Sequence, residues 1–229
     1  MTNQSPTNQS TQNRVQARLV QIPSGAVLLE GDLHLPQGSR GLVLFAHGSG
    51  SSRHSPRNRY VADVLNQAGF ATLLMDLLTV EEEAVDQYTG HLRFDLPFLA
   101  ERLVDATRWL AQTPDTKTFN VGYFGASTGA GAALIAAARY PQAVSAVVSR
   151  GGRPDLAGQE SLSRVQAPTL LIVGGNDGPV IGMNQSALEQ ISAQKQMEIV
   201  PGATHLFPEP GALEQVAALA RDWFKRYLT

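Results

Sequence analysis

The chain has 229 residues, of which 43% are hydrophobic and 17% are charged, and it contains no cysteine. The apolar content is ample for a globular core. The formal net charge is only −2, and long basic or acidic blocks are absent, which argues against nucleic acid and anionic membranes as partners. Without cysteine, disulfides, thiolate catalysis and cysteine-ligated metal sites are excluded.

The first thirteen residues, "MTNQSPTNQSTQN", are polar and lack the apolar core of a signal peptide. They predict a disordered tail over residues 1–13. No later stretch reaches the roughly 18 apolar residues of a membrane-spanning helix. We therefore expect a cytoplasmic protein in which residues 14–229 form a single domain.

The first half of the chain predicts a hairpin followed by alternating strands and helices. The segments "RVQARLVQI" and "AVLLEGDLHL" flank "PSG", which is typical of an antiparallel hairpin. A buried strand over 42–46 precedes a helix that begins with Ser55-Pro56 and stops at Gly69. A strand over 70–76 leads to a loop from Leu77 to His91. These residues therefore predict a sheet that begins with a hairpin.

The next helix, over 95–112, has Asp95 as its N-cap. Four further strands are predicted in "TFNVGYF", "AVSAVVS", "TLLIVGG" and "MEIV", and helices in "STGAGAALIAAARY", "IGMNQSALEQISAQ" and "GALEQVAALARDWFKRYL". The alternation predicts an α/β fold with a doubly wound, mostly parallel sheet flanked by helices, and with an N-terminal antiparallel hairpin. Ligands of such sheets bind beyond the carboxyl ends of the strands.

The residues Gly125-Ala126-Ser127-Thr128-Gly129 lie where a predicted strand becomes a helix. They fit the Gly-x-Ser-x-Gly nucleophile elbow, a sharp turn that exposes a serine hydroxyl. The pattern predicts Ser127 as a catalytic nucleophile and the N–H of Thr128 as an oxyanion donor. The alternative interpretation is a tight turn with a capping serine.

A serine nucleophile needs a base and an acid, in the chain order Ser, Asp or Glu, His. His205 is the histidine that follows Ser127, in the loop "PGATHLFPEPG", so it is the predicted base rather than a surface histidine. Asp177, in "GGNDG" after a buried strand, is the favoured acid. Asp155, in "RGGRPD", is its rival.

The second oxyanion donor is expected in "AHGSGSS", which matches the His-Gly-x-Gly pattern after the first parallel strand. Gly48 and Gly50 let the backbone approach a reacting carbonyl, so the N–H of Ser49 is the predicted donor. His47 is expected to bond the loop backbone rather than to take part in chemistry.

Several arginines lie in loops at the predicted catalytic edge. Arg53, Arg93 and Arg150 are candidates for binding a substrate carboxylate or phosphate. Arg57 and Arg153 belong to the same group. The alternative is that these arginines pair with acidic residues of the loops, such as Glu81, Glu82, Glu83 or Asp155. The segment 77–94 is either a small lid or a simple connection.

The ordered motifs "AHGSG … GASTG … GGND … ATH" resemble the α/β-hydrolase superfamily. The short chain without a separate cap is most similar to the dienelactone hydrolase-like branch, over about residues 25–229. The resemblance implies the same roles for Ser127, Asp177 and His205, with Ser49 and Thr128 as N–H donors. Authentic dienelactone hydrolases use a cysteine nucleophile and carry a glutamate where this chain reads "HGSGS". The resemblance therefore does not imply dienelactone as the substrate.

The expected activity is that of a serine hydrolase that cleaves a small carboxylic ester or lactone through an acyl-enzyme. No metal or organic cofactor is needed for this chemistry, and the expected partner is a small-molecule ester. Two alternatives stay open. The same triad could transfer the acyl group to an acceptor other than water, or the fold could serve as a catalytically silent binding protein.

Overall fold

The computed structural model describes residues 17–228, so the predicted tail over 1–13 lies outside the described residues. One sheet holds eight strands: β1 (Arg18–Ser24), β2 (Val27–His34), β3 (Leu42–Ala46), β4 (Ala71–Met75), β5 (Val121–Ala126), β6 (Val144–Arg150), β7 (Thr169–Gly174) and β8 (Lys195–Val200). Their order across the sheet is β1-β2-β4-β3-β5-β6-β7-β8. β1 pairs antiparallel with β2, and β2 with β4, while every other pair is parallel. The predicted fold class is confirmed.

The predicted hairpin is confirmed, but its turn lies further along the chain than "PSG". Ser24 pairs directly with Val27, so the reversal is made by the two residues between them. Pro23 lies inside β1, opposite Leu28. Proline, which has no N–H to donate, is tolerated there because β1 is an edge strand.

The helices are α1 (Pro56–Gln67), α2 (Val80–Thr89), α3 (Leu96–Gln112), α4 (Thr128–Arg139), α5 (Gly158–Arg164), α6 (Gly178–Gln190) and α7 (Ala212–Tyr227). Apolar side chains of α1 and α7 pack on one face of the sheet, and those of α3 and α4 pack on the other. Strands β3 and β5 are buried along their whole length, as expected of parallel strands covered on both faces. Within residues 17–228, no helix combines the length and the apolar character that crossing a membrane requires.

Two predicted helix starts are confirmed by their caps. The Ser55 hydroxyl accepts a hydrogen bond from the Asn58 N–H at 3.3 Å, and the following proline opens α1. The Asp95 carboxylate accepts from the Phe98 N–H at 3.0 Å at the start of α3. These bonds satisfy N–H groups that have no partner inside the helix.

The predicted loop from Leu77 to His91 is wrong, because it contains α2. Thr79 and Glu82 form a capping box: the Thr79 hydroxyl accepts from the Glu82 N–H at 3.2 Å, and the Glu82 carboxylate accepts from the Thr79 N–H at 2.8 Å. Gly90 ends the helix with a left-handed φ of 67°. Both signals, Thr-x-x-Glu and a closing glycine, are present in the sequence.

The second half of the chain also differs from its prediction. The helix expected to begin at Ile181 starts at Gly178, because Pro179 fits the first turn of a helix. No helix is predicted between β6 and β7, but the structure has a 3₁₀ turn (Pro154–Ala157) and α5 there. α6 therefore begins directly after Asp177, at the carboxyl edge of the sheet.

A buried hydrogen bond links β5, the strand that leads to Ser127, to α3. The Tyr123 hydroxyl lies 2.6 Å from the Thr107 hydroxyl, which itself donates to the Leu103 carbonyl at 2.8 Å. Because threonine has one hydroxyl proton, the tyrosine must be the donor. Burial raises the pKa of Tyr123, so that donor stays protonated.

We expect Thr107→Val to destabilise the protein more than Tyr123→Phe. The first change leaves a buried tyrosine O–H without an acceptor, which costs about 1–3 kcal/mol, whereas the second removes a hydrogen bond worth about 1 kcal/mol. Urea unfolding monitored by circular dichroism measures both. A smaller loss for Thr107→Val than for Tyr123→Phe would contradict the assigned direction of this hydrogen bond.

Candidate active site

Three side chains from three loops meet at the carboxyl edge of the sheet. Ser127 directly follows β5, Asp177 directly follows the turn after β7, and His205 lies in the loop after β8. His205 Nδ1 lies 2.7 Å from Asp177 Oδ2, and His205 Nε2 lies 3.3 Å from Ser127 Oγ. The structure thus brings the three predicted residues into one chain of hydrogen bonds. This arrangement can transfer a proton from the hydroxyl to the imidazole.

The backbone at Ser127 is strained, with φ 51° and ψ −123°. A positive φ is unfavourable for a residue with a side chain, and such strain is concentrated at functional sites. Glycines on both sides allow the turn. A Cβ on Gly125 would collide with the Ala130 Cα, and a Cβ on Gly129 would collide with the carbonyl oxygens of Ala46 and His47. The bracketing glycines are therefore required by the close approach of the backbone.

The rival acid, Asp155, lies outside this arrangement. Its two carboxylate oxygens accept from Nε and Nη2 of Arg153 at 2.9 and 2.8 Å. This bidentate pair occupies the carboxylate, and no contact with His205 is formed. Asp177 is accordingly the acid that reaches the imidazole.

Two residues that the sequence did not single out stabilise the loops that carry Asp177 and His205: Asn176 links the two loops, and Glu209 bonds within the second. Asn176 donates its N–H to the Ala203 carbonyl and its side-chain amide to the Gly202 carbonyl, both at 2.9 Å. Glu209 accepts from the N–H and hydroxyl of Thr204 at 3.1 and 2.7 Å, and these bonds lower the pKa of Glu209. The one sequence signal for either residue is that Asn176 is adjacent to Asp177.

The two predicted oxyanion donors lie close to the nucleophile. Thr128 is the first residue of α4, where an N–H has no partner within the helix. The Ser49 N–H lies beside the same residue, where it donates to Thr128 Oγ1 at 2.8 Å. A Cβ on Gly48 would lie 3.0 Å from the Cβ of Ser127, so the loop passes directly over the elbow.

His47 lies beneath this loop and contacts backbone atoms, as expected. Its Nε2 accepts from the Leu77 N–H at 3.0 Å, and its Nδ1 lies 2.9 Å from the Gly48 carbonyl oxygen. One nitrogen accepts and the other donates, which requires the neutral imidazole with its proton on Nδ1. Burial lowers the pKa of His47, against a smaller opposing effect of the Gly48 hydrogen bond and of Asp76 and Glu83.

Two of the three candidate substrate arginines are occupied by carboxylates. Arg53 forms ion pairs with Asp76, Glu30 and Asp32. Its donors thus face protein acids, and the structure does not leave it free for a substrate, contrary to expectation. Arg93 donates from Nε to Asp86 at 2.6 Å.

Asp86 is fully buried and also accepts from the N–H groups of Leu92 and Arg93, at 2.6 and 3.2 Å. The hydrogen bonds of Arg93 lower the pKa of Asp86, although its burial acts in the opposite direction. This carboxylate fixes the end of the segment 77–94. Arg93 is therefore primarily part of the internal hydrogen bonding of that segment.

The third candidate, Arg150, is buried at the end of β6, and its Nη2 lies 3.4 Å from Asn58 Oδ1 in the first turn of α1.

A cleft of about 630 Å³ lies between the loop over 50–56 and the start of α2. Its lining includes His47, Val80 and Glu83 but neither Ser127 nor His205. The segment 77–94 therefore forms one wall of this cleft, and the loop over 50–56 forms another.

The comparisons with known proteins agree with this architecture. A model of the dienelactone hydrolase family matches residues 30–229. The chain belongs to the dienelactone hydrolase family. A dienelactone hydrolase from Anabaena variabilis is 63% identical and superposes with a TM-score of 0.92, over 93% of this chain and 99% of that one. Est1E from Butyrivibrio proteoclasticus shares only the fold, at 16% identity and a TM-score of 0.76, over 91% and 98% of the two chains.

A curated relative from Mycobacterium tuberculosis, named a putative phosphoribosyl transferase, is 62% identical over 209 residues. The match covers 91% of this chain but 46% of the relative, so this chain spans about half the length of that protein. Membership of the dienelactone hydrolase family and the fold support a hydrolase.

The neutral state of His47 predicts a loss of stability in mild acid. The folded pKa of His47 is lowered, so below about pH 6.5 the unfolded chain binds a proton that the folded chain does not. Stability is fully present above this pH and falls as pH decreases, by at most about 1.4 kcal/mol per pH unit. Glutamine can replace both hydrogen bonds of the imidazole without titrating.

We therefore expect the free energy of unfolding of His47→Gln to fall less steeply than that of the wild type between pH 6.5 and 5.5. Urea unfolding at several pH values measures both slopes. The other four histidines are common to both proteins and cancel in the difference. Identical slopes would show that His47 is not held neutral.

Proposed function

We propose that the protein is a serine hydrolase that cleaves a small carboxylic ester or lactone through an acyl-enzyme. The observation that carries the proposal is the hydrogen-bonded chain Ser127–His205–Asp177, formed on a serine with φ 51°. A strained elbow and two converging loops would be a costly way to build an ordinary turn.

In the first step, Ser127 Oγ attacks the carbonyl carbon of the substrate while His205 Nε2 takes the hydroxyl proton. Asp177 accepts from Nδ1–H and stabilises the imidazolium. The negative charge on the carbonyl oxygen is stabilised by the N–H of Thr128 and, as a second donor, that of Ser49. One such donor contributes about 3 kcal/mol. His205 then protonates the leaving alcohol.

In the second step, water gives a proton to His205 Nε2 and attacks the acyl-enzyme, which releases the acid and restores Ser127.

Before the Ser49 N–H can bind the carbonyl oxygen in either step, it must be released from its hydrogen bond to the Thr128 hydroxyl. A rotation of the Thr128 side chain about χ1 achieves this without moving the backbone. No metal or organic cofactor enters these steps.

Transfer of the acyl group to another acceptor uses the same first step. The His205 side chain is 37% exposed, which gives water direct access to the base and favours hydrolysis. A catalytically silent binding protein would have no use for the complete hydrogen-bonded chain. We attribute the transferase name of the Mycobacterium tuberculosis relative to the part of that protein that this chain does not match.

We expect Ser127→Ala to lower kcat/KM for p-nitrophenyl esters by at least about 10³-fold, because the nucleophile is lost. Labelling of the wild type by a fluorophosphonate probe should disappear in the same variant. A panel of esters of different chain length and charge measures the first effect, and gel fluorescence the second. Retained labelling in Ser127→Ala would place the nucleophile elsewhere.

Asp177→Asn should lower kcat by about 10⁴-fold with little change in stability, because the amide favours the wrong tautomer of His205. Asp155→Asn is the matched control and should keep wild-type kcat, because its carboxylate faces Arg153. Equal losses in the two variants would contradict the assignment of the acid. Alcohol and thiol acceptors added to the assay distinguish hydrolysis from acyl transfer.

A further inference from the structure

Two guanidinium groups lie together beside the triad without a carboxylate. Arg150, at the end of β6, is only 6% exposed, and Arg57 is half-buried in the first turn of α1. Among residues 17–228, neither is within ion-pair distance of an acid, and Nε of both is buried without a hydrogen-bond partner. Within this range, the guanidinium of Arg150 forms one hydrogen bond, the long contact with Asn58.

Burying an unpaired charge is unfavourable, and a second cation increases the cost. Burial, and then the repulsion from Arg57, lower the pKa of Arg150 to about 10, so it is still charged at neutral pH. The positive end of α1 lies at the same place and adds to the repulsion. The Phe207 ring, 6.0 Å away, offers a weak attraction but no negative charge.

The contrast with neighbouring arginines is clear. Arg53, Arg93 and Arg153 each have their own carboxylate partner at this edge of the sheet. At these three arginines, a carboxylate of the same chain thus neutralises the guanidinium. Within residues 17–228, Arg57 and Arg150 have none, which leaves a ligand as a source of the negative charge.

We propose that Arg57 and Arg150 form a binding site for a phosphate group next to the nucleophile. Two cations and a helix N-terminus match a dianion better than the single charge of a carboxylate. The backbone of Arg150 adjoins the triad, because the Ser127 N–H donates to the Arg150 carbonyl at 3.2 Å. Its guanidinium lies over the ring of Phe207, two residues from His205. As a statement about substrate, which rests on the proposed function, the ester carries a phosphate.

The test for binding is thermal unfolding in sodium phosphate and in sodium chloride at equal ionic strength. The melting temperature of the wild type should rise in phosphate, because a ligand of the folded state stabilises it. Arg57→Gln, at a half-buried position, should abolish the rise, and Arg150→Lys should reduce it. Arg59→Gln, two residues along the same helix and paired with Asp32, should retain it.

No rise in the wild type, or an equal rise in wild type and Arg57→Gln, would overturn the site. Ser127→Ala should keep the rise, since the nucleophile is not part of the site. These measurements need no enzymatic activity, so they stand even if ester hydrolysis is not found.

The source of the phosphate is decided with two esters, monobutyryl glycerol and its glycerol phosphate analogue. A substrate phosphate predicts at least about 10-fold higher kcat/KM for the charged ester in the wild type and in Arg59→Gln, and a ratio near one in Arg57→Gln. Phosphate stabilisation without this preference would assign the site to free phosphate and overturn the substrate class. Stabilisation with no hydrolysis of either ester would instead contradict the proposed function alone.

Discussion

The strained backbone at Ser127 is the constraint on which the rest of the site depends. A φ of 51° directs the hydroxyl out of the sheet edge, and it persists because the surroundings leave no alternative. The first turn of α4 packs so closely on the ends of β3 and β5 that only glycine fits at positions 125 and 129. The loops that carry Ser49 and His205 are then placed around the fixed Ser127 hydroxyl.

Two members of the triad are N-cap residues that do not cap. Ser127 precedes α4 and Asp177 precedes α6, yet neither side chain bonds a helix N–H. Elsewhere in the same chain Ser55, Thr79 and Asp95 do cap their helices. The capping energy, about 1 kcal/mol at each site, is given up so that both side chains face His205. A local preference is thus given up at the two positions whose side chains contact His205.

Much of the architecture is predictable from sequence because its signals are local. Buried apolar runs fix the strands, and the Gly-x-Ser-x-Gly pattern with the order Ser, Asp, His fixes which side chains meet. A loop is predicted in place of helix α2, although Thr79 and Glu82 carry its capping signal, because a short, polar helix has the composition of a loop. The choice between Asp177 and Asp155 needed coordinates in three dimensions, since both follow buried strands.

The partners of the arginines could not be predicted for a related reason. Arg53 meets Asp76, 23 residues away, across the ends of two strands, and nothing in the sequence specifies that pairing. The lack of a partner is harder still to predict. The contact between α1 and the end of β6 places Arg57 and Arg150 together, and only the fold shows that no acid of residues 17–228 accompanies them.

The segment 77–94 is held by ion pairs on its inner side, and its outer side is exposed to solvent. The Glu82–Arg102 ion pair, at 2.6 Å, holds it to α3, and Asp86 bonds Leu92 and Arg93 within the segment. Val85 and Tyr88 are solvent-exposed, and Val80 faces the cleft. The exposed side of α2 can thus be changed without altering the bonds that hold the segment. Because Val85 and Tyr88 lie on the exposed side of α2, substitutions at these two positions change the surface of the segment while the bonds of Glu82 and Asp86 stay in place.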